Sequence, residues 1–379
     1  MILVRNYVNG IFVDSKETIE DINPATSEVI ATIPRSNLND VNEAVLAADK
    51  ARDNWSSLSL DERRKWLEKI ANALEARSEE IAKLESLDTG KPIKIARAVD
   101  ASRSVANFRF FAEFSKDFHE QKFLMEDATN HVIFKPVGIA GLITPWNLPL
   151  YLLSWKIAPA IVMGNTVVAK PSELTPLTAN LLAEVFDEVG LPAGVVNIVH
   201  GFGHETGQAI VSHPLVNLIS FTGGTQTGRI VAKTAAPLFK KLSLELGGKN
   251  ATVILKDAEL ELAAKGAAKA GFTNSGQVCL CGSRILIDES IAEQFTELLI
   301  HEIESMKIGD PQNEETDIGS VISIQHLEKV EKYIQLALDE GGEILTGGKR
   351  PQLDGINSNG AFLRPTVISG LNINSRTAT

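Results

Sequence analysis

Gly138-Ile139-Ala140-Gly141-Leu142-Ile143-Thr144 is a short apolar run bounded by glycine and by Pro145. It opens a series of such runs, at 138–144, 166–169, 195–199, 218–221 and 251–255, with helical periodicity between them. Such runs read as short strands, and strands separated by helical stretches imply βαβ units and a parallel sheet. The fold class that follows is α/β.

Working outward, Tyr7-Val8-Asn9-Gly10-Ile11-Phe12-Val13 alternates around an Asn-Gly turn and reads as a hairpin. Apolar residues recur at helical spacing over 40–55 and again over 59–87. In the second stretch Ser59 and Glu62 make a capping box, and Leu67, Ile70, Leu74, Ile81 and Leu84 draw a buried stripe. Residues 108–118 are aromatic-rich and helical in period, and 122–135 turns β-like before Pro136, which suits a projecting hairpin. The most apolar run, 148–164, is interrupted by Pro149, Lys156 and Pro159, so it is buried chain rather than a membrane span. After Glu245 come a helix at 259–273, a strand at 283–287 and helices at 291–306 and 325–340. These form a second α/β unit.

The 379 residues are 44% hydrophobic and 22% charged, enough to build two or three domains. A formal charge of -11 and a pI near 5.3, with Lys and Arg scattered, argue against nucleic acid or an anionic membrane as partner. The two cysteines, Cys279 and Cys281, share one loop with no ligand at zinc spacing. They give neither a disulfide framework nor a metal site, and a reducing compartment follows. The N-terminus turns polar too early for a signal peptide, so the cytoplasm is expected.

Chemistry gathers at several points. Lys170-Pro171-Ser172-Glu173 follows the strand 166–169, at the carboxyl end where open parallel sheets place ligands; a cation and an anion there suit ribose hydroxyls, although a solvated cap has the same pattern. Phe221-Thr222-Gly223-Gly224-Thr225-Gln226-Thr227-Gly228 also joins a strand to a helix, so its amides suit a diphosphate; a plain glycine turn is the alternative. Pro145-Trp146-Asn147-Leu148-Pro149 holds Trp and Asn between prolines in a rigid, non-helical corner, and a fixed Asn amide is a good oxyanion donor. In Leu244-Glu245-Leu246-Gly247-Gly248, a carboxylate stands at an apolar strand end, where burial would raise its pKa toward that of a general base. Asn274-Ser275-Gly276-Gln277-Val278-Cys279 sets a thiol in a polar context, unlike a packed core cysteine; Cys281 reads as structural.

Those five motifs, in this order, resemble the NAD(P)-dependent aldehyde dehydrogenase superfamily over nearly the whole chain. The resemblance implies a Rossmann-type cofactor domain at 1–118 and 136–244, a small hairpin arm for oligomerisation at 119–135, and a catalytic domain from 245 to 379. It implies Cys279 as nucleophile, Glu245 as general base, and Asn147 with the backbone N–H of Cys279 as oxyanion site. NAD would be held by Ile143, Thr144, Trp146, Lys170, Glu173, Gly203, Gly223 and Gly224. Glu173 would repel a 2′-phosphate and so favour NAD over NADP. Where the family commonly has Ser, this chain has Gly224, which removes a side-chain contact to phosphate.

Within the family, 101–111, 145–160 and Val278-Cys279-Leu280-Cys281 look most like the 2-aminomuconic and 2-hydroxymuconic semialdehyde dehydrogenases. There an Arg before the Asn-Phe pair faces the substrate carboxylate, which implies that role for Arg103; a surface Arg in a salt bridge is the alternative. The chain stops where the family continues into a Glu-(Ile/Val)-Phe-Gly-Pro motif, whose Glu grips the nicotinamide ribose. The expectation is therefore either a hydrolytic dehydrogenase of acidic semialdehydes, acting as a homo-oligomer, or a shortened, impaired product that still binds NAD or pairs with an intact subunit.

Overall fold

In the computed structural model, which describes residues 1–379, the apolar runs become strands Ile139–Ile143, Thr166–Lys170, Val196–Ile198 and Val216–Gly223. These four are parallel neighbours in one seven-stranded sheet. Strand Lys241–Leu246 flanks them on one side. On the other, Asn6–Val8 pairs antiparallel with Val196–Ile198 and carries Ile11–Val13 by a hairpin. The Asn-Gly turn explains that hairpin: Asn9 (φ 54°) and Gly10 (φ 76°) are both left-handed, as a tight primed turn requires.

The sheet belongs to a first unit made of residues 1–21, 30–82 and 97–245. Strands Ile139–Ile143, Thr166–Lys170 and Val196–Ile198 are buried along their length because helices cover them. Leu150, Leu153, Ile157 and Ile161 of helix Pro149–Val162 are all within 1% exposure, as are Leu181, Leu182, Val185 and Phe186 of helix Leu177–Glu188. Each such side chain contributes on the order of 2 kcal/mol through burial. The carboxyl end of helix Pro149–Val162 is tied down by two polar groups. Trp55 Nε1 donates to the Ile161 carbonyl at 2.9 Å and Arg63 Nε to that of Val162 at 2.8 Å.

Periodicity over 59–87 predicts one continuous helix, but the structure breaks it into Leu60–Ala76 and Ser78–Thr89. Arg77, at φ −105° and ψ 15°, leaves the ladder, and the Ser78 hydroxyl donates back to the Glu75 carbonyl at 2.8 Å. A serine competing for backbone groups is a common way to end a helix. The aromatic helix begins earlier than its periodicity predicts, running Ser102–Phe114.

The second unit comprises 22–29, 83–96 and 246–379. Strand Ala251–Ile254, grouped by sequence with the first series, lies here and pairs in parallel with Arg284–Ile287. Helices Leu260–Phe272 and Ala292–Glu304 complete a core of Ile254, Ala264, Ala267, Ala268, Phe295, Leu299 and Ile303. Segments 22–29 and 83–96, which sequence leaves in the cofactor region, cluster with this unit because its 319–321 stretch and Ala361 bond to Gly90 and Pro24. No helix is long and apolar enough to cross a membrane.

Candidate active site

Register fixes the edge at which the first unit presents its polar groups. Ile143 stands opposite Lys170 on one side and Phe221 on the other, and Ala169 opposite Ile198. The carboxyl ends of four strands therefore finish level, so Ile143, Thr144, Lys170 and Gly223 share one edge. Lys170 is 2% exposed; its Nζ donates to Glu173 Oε2 at 2.7 Å and to the Pro171 carbonyl at 2.9 Å. Burial pushes its pKa down, and Glu173 pulls it back up. A Cβ at Gly223 would lie 2.5 Å from the Phe221 ring, so only glycine fits there. Gly203 and Gly224 open into space, and helix Thr225–Ala235 starts immediately after Gly224. The Thr144 hydroxyl is buried without a hydrogen-bond partner. Open glycines, a helix N-terminus and a buried lysine paired with half-buried Glu173 fit a dinucleotide, whose diphosphate the helix amides and whose ribose the pair would hold.

Trp146 and Asn147 lie in the non-helical corner expected of them, half-buried, and Pro149 occupies the first turn of the helix that follows. Proline is tolerated there because its missing N–H has no intrahelical partner. The Asn147 Oδ1 atom is buried.

Glu245 corrects one expectation. It is exposed on strand Lys241–Leu246, where a buried carboxylate was expected. What the sequence reading missed is the cation that interacts with it. Lys156 is 7% exposed within helix Pro149–Val162, with Nζ 2.7 Å from Ser220 Oγ; burial pushes its pKa down to about 8, against the pull of Glu245. A lysine inside the most apolar helix was the available signal. His200 was also missed. It follows strand Val196–Ile198, fully buried with neither ring nitrogen hydrogen-bonded, and burial together with the Lys170 charge holds its pKa at about 3. It stays neutral beside the Lys-Glu pair.

Arg103 lies on helix Ser102–Phe114 and meets no carboxylate. Its Nη2 is 3.3 Å from the Tyr151 hydroxyl, and its guanidinium carbon is 5.3 Å from the centre of that ring. The salt-bridge alternative therefore falls to a different residue of the helix: Arg109 grips Glu75 at 2.6 and 2.8 Å.

Cys279 belongs to the second unit, where it is exposed and free; Cys281, two residues on, is half-buried and burial pushes its thiol pKa up. The loop before it is shaped by three consecutive left-handed residues, Asn274 (φ 55°), Ser275 (φ 55°) and Gly276 (φ 76°). Such strain in non-glycine residues collects at functional sites. Side chains hold it in place. Ser275 Oγ donates to the Gly319 carbonyl at 3.2 Å, Gln277 Oε1 accepts from the Ile322 N–H at 2.9 Å, and Asn250 Nδ2 donates to the Cys279 carbonyl at 2.7 Å. The result is an accessible thiol on a rigid turn, as nucleophilic catalysis needs.

The profile of the aldehyde dehydrogenase family matches residues 12–379. The chain belongs to the aldehyde dehydrogenase family. The zebrafish (Danio rerio) 2-aminomuconic semialdehyde dehydrogenase is 46% identical, over 98% of this chain and 77% of its own. The 2-hydroxymuconic semialdehyde dehydrogenase of Pseudomonas sp. (strain CF600) is 42% identical, over 97% and 78%. Among solved structures, PnpE in complex with nicotinamide adenine dinucleotide superposes with a TM-score of 0.96 at 41% identity, covering 99% of this chain and 77% of that one; PnpE is from Pseudomonas sp. WBC-3. The α/β aldehyde dehydrogenase fold is thus that of the chain, and its reaction is the NAD-dependent oxidation of an aldehyde to an acid.

In this dehydrogenase Lys156 makes stability depend on pH. Below about pH 8 the amine is charged both folded and unfolded, and the burial cost is fully present. Between about 8 and 10.5 the unfolded chain binds more protons, so stability rises with pH, by roughly 3 kcal/mol in all. Lys156→Met removes that rise. Thermal unfolding at pH 7 and pH 10 should show the variant gaining relative to wild type at pH 7, with the gap closing by pH 10.

Proposed function

We propose that this aldehyde dehydrogenase oxidises acidic semialdehydes of the 2-aminomuconic and 2-hydroxymuconic type, with Cys279 as nucleophile. The single observation that carries the substrate class is Arg103: an exposed guanidinium, anchored on an aromatic ring and matched with no carboxylate of its own chain. A planar fork in that state suits the free carboxylate of a semialdehyde. The names of the muconic relatives support the same class.

The thiolate of Cys279 adds to the aldehyde carbon, and the oxygen that gains charge is stabilised by the Asn147 side-chain amide and the Cys279 backbone N–H. NAD, when bound, supplies the hydride acceptor. Lys170 and Glu173 would hold it through the adenosine ribose, Ile143, Thr144, Trp146 and Gly203 would line its crevice, and the amides after Gly223 and Gly224 would meet its diphosphate. Glu173 disfavours a 2′-phosphate by charge. Loss of hydride leaves a thioester on Cys279. Glu245 takes a proton from water, the water oxygen bonds to the acyl carbon, and the C–S bond breaks to release acid and thiol. Lys156, held by Ser220 Oγ at 2.7 Å, places a cation whose charge Glu245 favours.

A homo-oligomer belongs to the same reading. Strands Gln121–Leu124 and Thr129–Val132 form a two-stranded hairpin exposed at every position, with Leu124 at 84% and Phe123 at 53%. An isolated hairpin is marginal in water, so a second copy covering it would stabilise both.

The test is NADH formation with 2-hydroxymuconic semialdehyde and with a neutral aldehyde. Arg103→Ala should lower kcat/KM for the acidic substrate about 10- to 100-fold relative to the neutral one. Equal losses on the two substrates would remove the carboxylate contact from the account.

A further inference from the structure

We propose that Tyr151 is a positioning residue that sets Arg103 as the anchor for the substrate carboxylate, and so determines acidic-aldehyde specificity. The proposal rests on the reading of Arg103 given above. Six other arginines of the first unit, Arg35, Arg52, Arg64, Arg77, Arg97 and Arg109, are each matched with a carboxylate, while Arg63 donates to backbone carbonyls and Arg5 lies over the Phe12 ring. Arg103 is matched with a phenol instead, which leaves its positive charge unspent.

Tyr151 holds that charge twice. Its oxygen accepts from Nη2 at 3.3 Å, and its ring face lies under the guanidinium carbon at 5.3 Å. With one terminal nitrogen engaged, the other N–H groups of the fork remain for a carboxylate. A long flexible side chain that would otherwise sample many rotamers is thereby restricted before substrate arrives, which lowers the cost of binding.

Tyr151 is itself immobilised. Its carbonyl accepts from Asn107 Nδ2 at 3.0 Å and from Ser154 Oγ at 2.8 Å, and Asn107, 2% exposed, also donates to Ser154 Oγ at 2.9 Å. Its ring stands edge-on to Trp155 at 6.1 Å and 89°, and Trp155 meets Phe111 at 5.6 Å and 73°. Asn107 and Phe111 come from the same helix as Arg103, so the two helices are pinned at the point where the guanidinium is held. Tyr151 also lies four residues after Asn147, in the first turn of the helix that the Asn147 corner begins. The anchor is therefore built on the element that carries the expected oxyanion donor, which fixes carboxylate and aldehyde ends of one substrate relative to each other.

The experiment compares kcat/KM for 2-hydroxymuconic semialdehyde with that for a neutral aldehyde in Tyr151→Phe, Tyr151→Leu, Arg103→Ala and the double variant Arg103→Ala/Tyr151→Phe. Tyr151→Phe, which keeps the ring and the fold, should lower the acidic-to-neutral ratio about fivefold, mainly through KM, and Tyr151→Leu more. The double variant should fall no further than Arg103→Ala. Additive losses, equal losses on both substrates, or an unchanged ratio in Tyr151→Phe and Tyr151→Leu while Arg103→Ala loses it, overturn the role of Tyr151 and leave that of Arg103 standing. An unchanged ratio in Arg103→Ala overturns both.

Discussion

Cys279→Ser protein is expected to form NADH on the order of 10⁴-fold more slowly than wild type, while folding and binding NAD normally. The nucleophile in this account is the thiolate, and a serine hydroxyl at the same position has no base to remove its proton before attack. Exposure of Cys279 on a loop fixed by Ser275, Gln277 and Asn250 means that the substitution takes away chemistry and little packing. Circular dichroism and NAD titration separate the two kinds of loss. Cys281→Ser is the matched control: half-buried, with its thiol pKa raised by burial, Cys281 is held in the less reactive form, and its loss should change turnover only about two- to threefold. Comparable collapse in both variants would mean that the loop, rather than one thiol, had been damaged.

Glu245→Gln should behave differently from Cys279→Ser. Hydride leaves before water enters, so the variant should release a rapid burst of about one NADH per active site and then stall, with steady-state turnover down roughly 10²- to 10⁴-fold. Stopped-flow absorbance resolves the two phases. Loss of the burst along with the steady state would place Glu245 in the addition or hydride step and remove it from hydrolysis. The exposure of Glu245 makes this test sharp, since Gln is isosteric and no buried charge is being neutralised.

Much of the scaffold was legible because short-range physics decided it. The parallel strands announced themselves as apolar runs of four to seven residues, and the Asn9-Gly10 turn could form only one kind of hairpin. The corner at Trp146 and Asn147 was fixed by two prolines, which act through local sterics alone. What sequence obscured was decided by tertiary contacts. The break at Arg77 depends on hydrogen bonds that periodicity does not count, and the side chain there reaches Glu184 across 107 residues of chain. Glu245 looked buried from its apolar neighbours, yet an alternating strand buries one face only, and it lies on the other. Lys156 read as an interruption in a hydrophobic helix, when its meaning comes from Ser220 and Glu245, elements far along the chain. Arg103 is the clearest case. Whether a helical arginine is solvated, paired or free depends on which carboxylates are near it, and only the fold shows that Glu75 goes to Arg109.

The most direct test of covalent catalysis at Cys279 is the intact mass of Glu245→Gln protein quenched after the burst with NAD and 2-hydroxymuconic semialdehyde. The account predicts a mass increase equal to one acyl group, located by peptide mapping on Cys279 and absent when NAD is omitted. NADH formed with no mass increase, or an acyl group on Cys281, would contradict it.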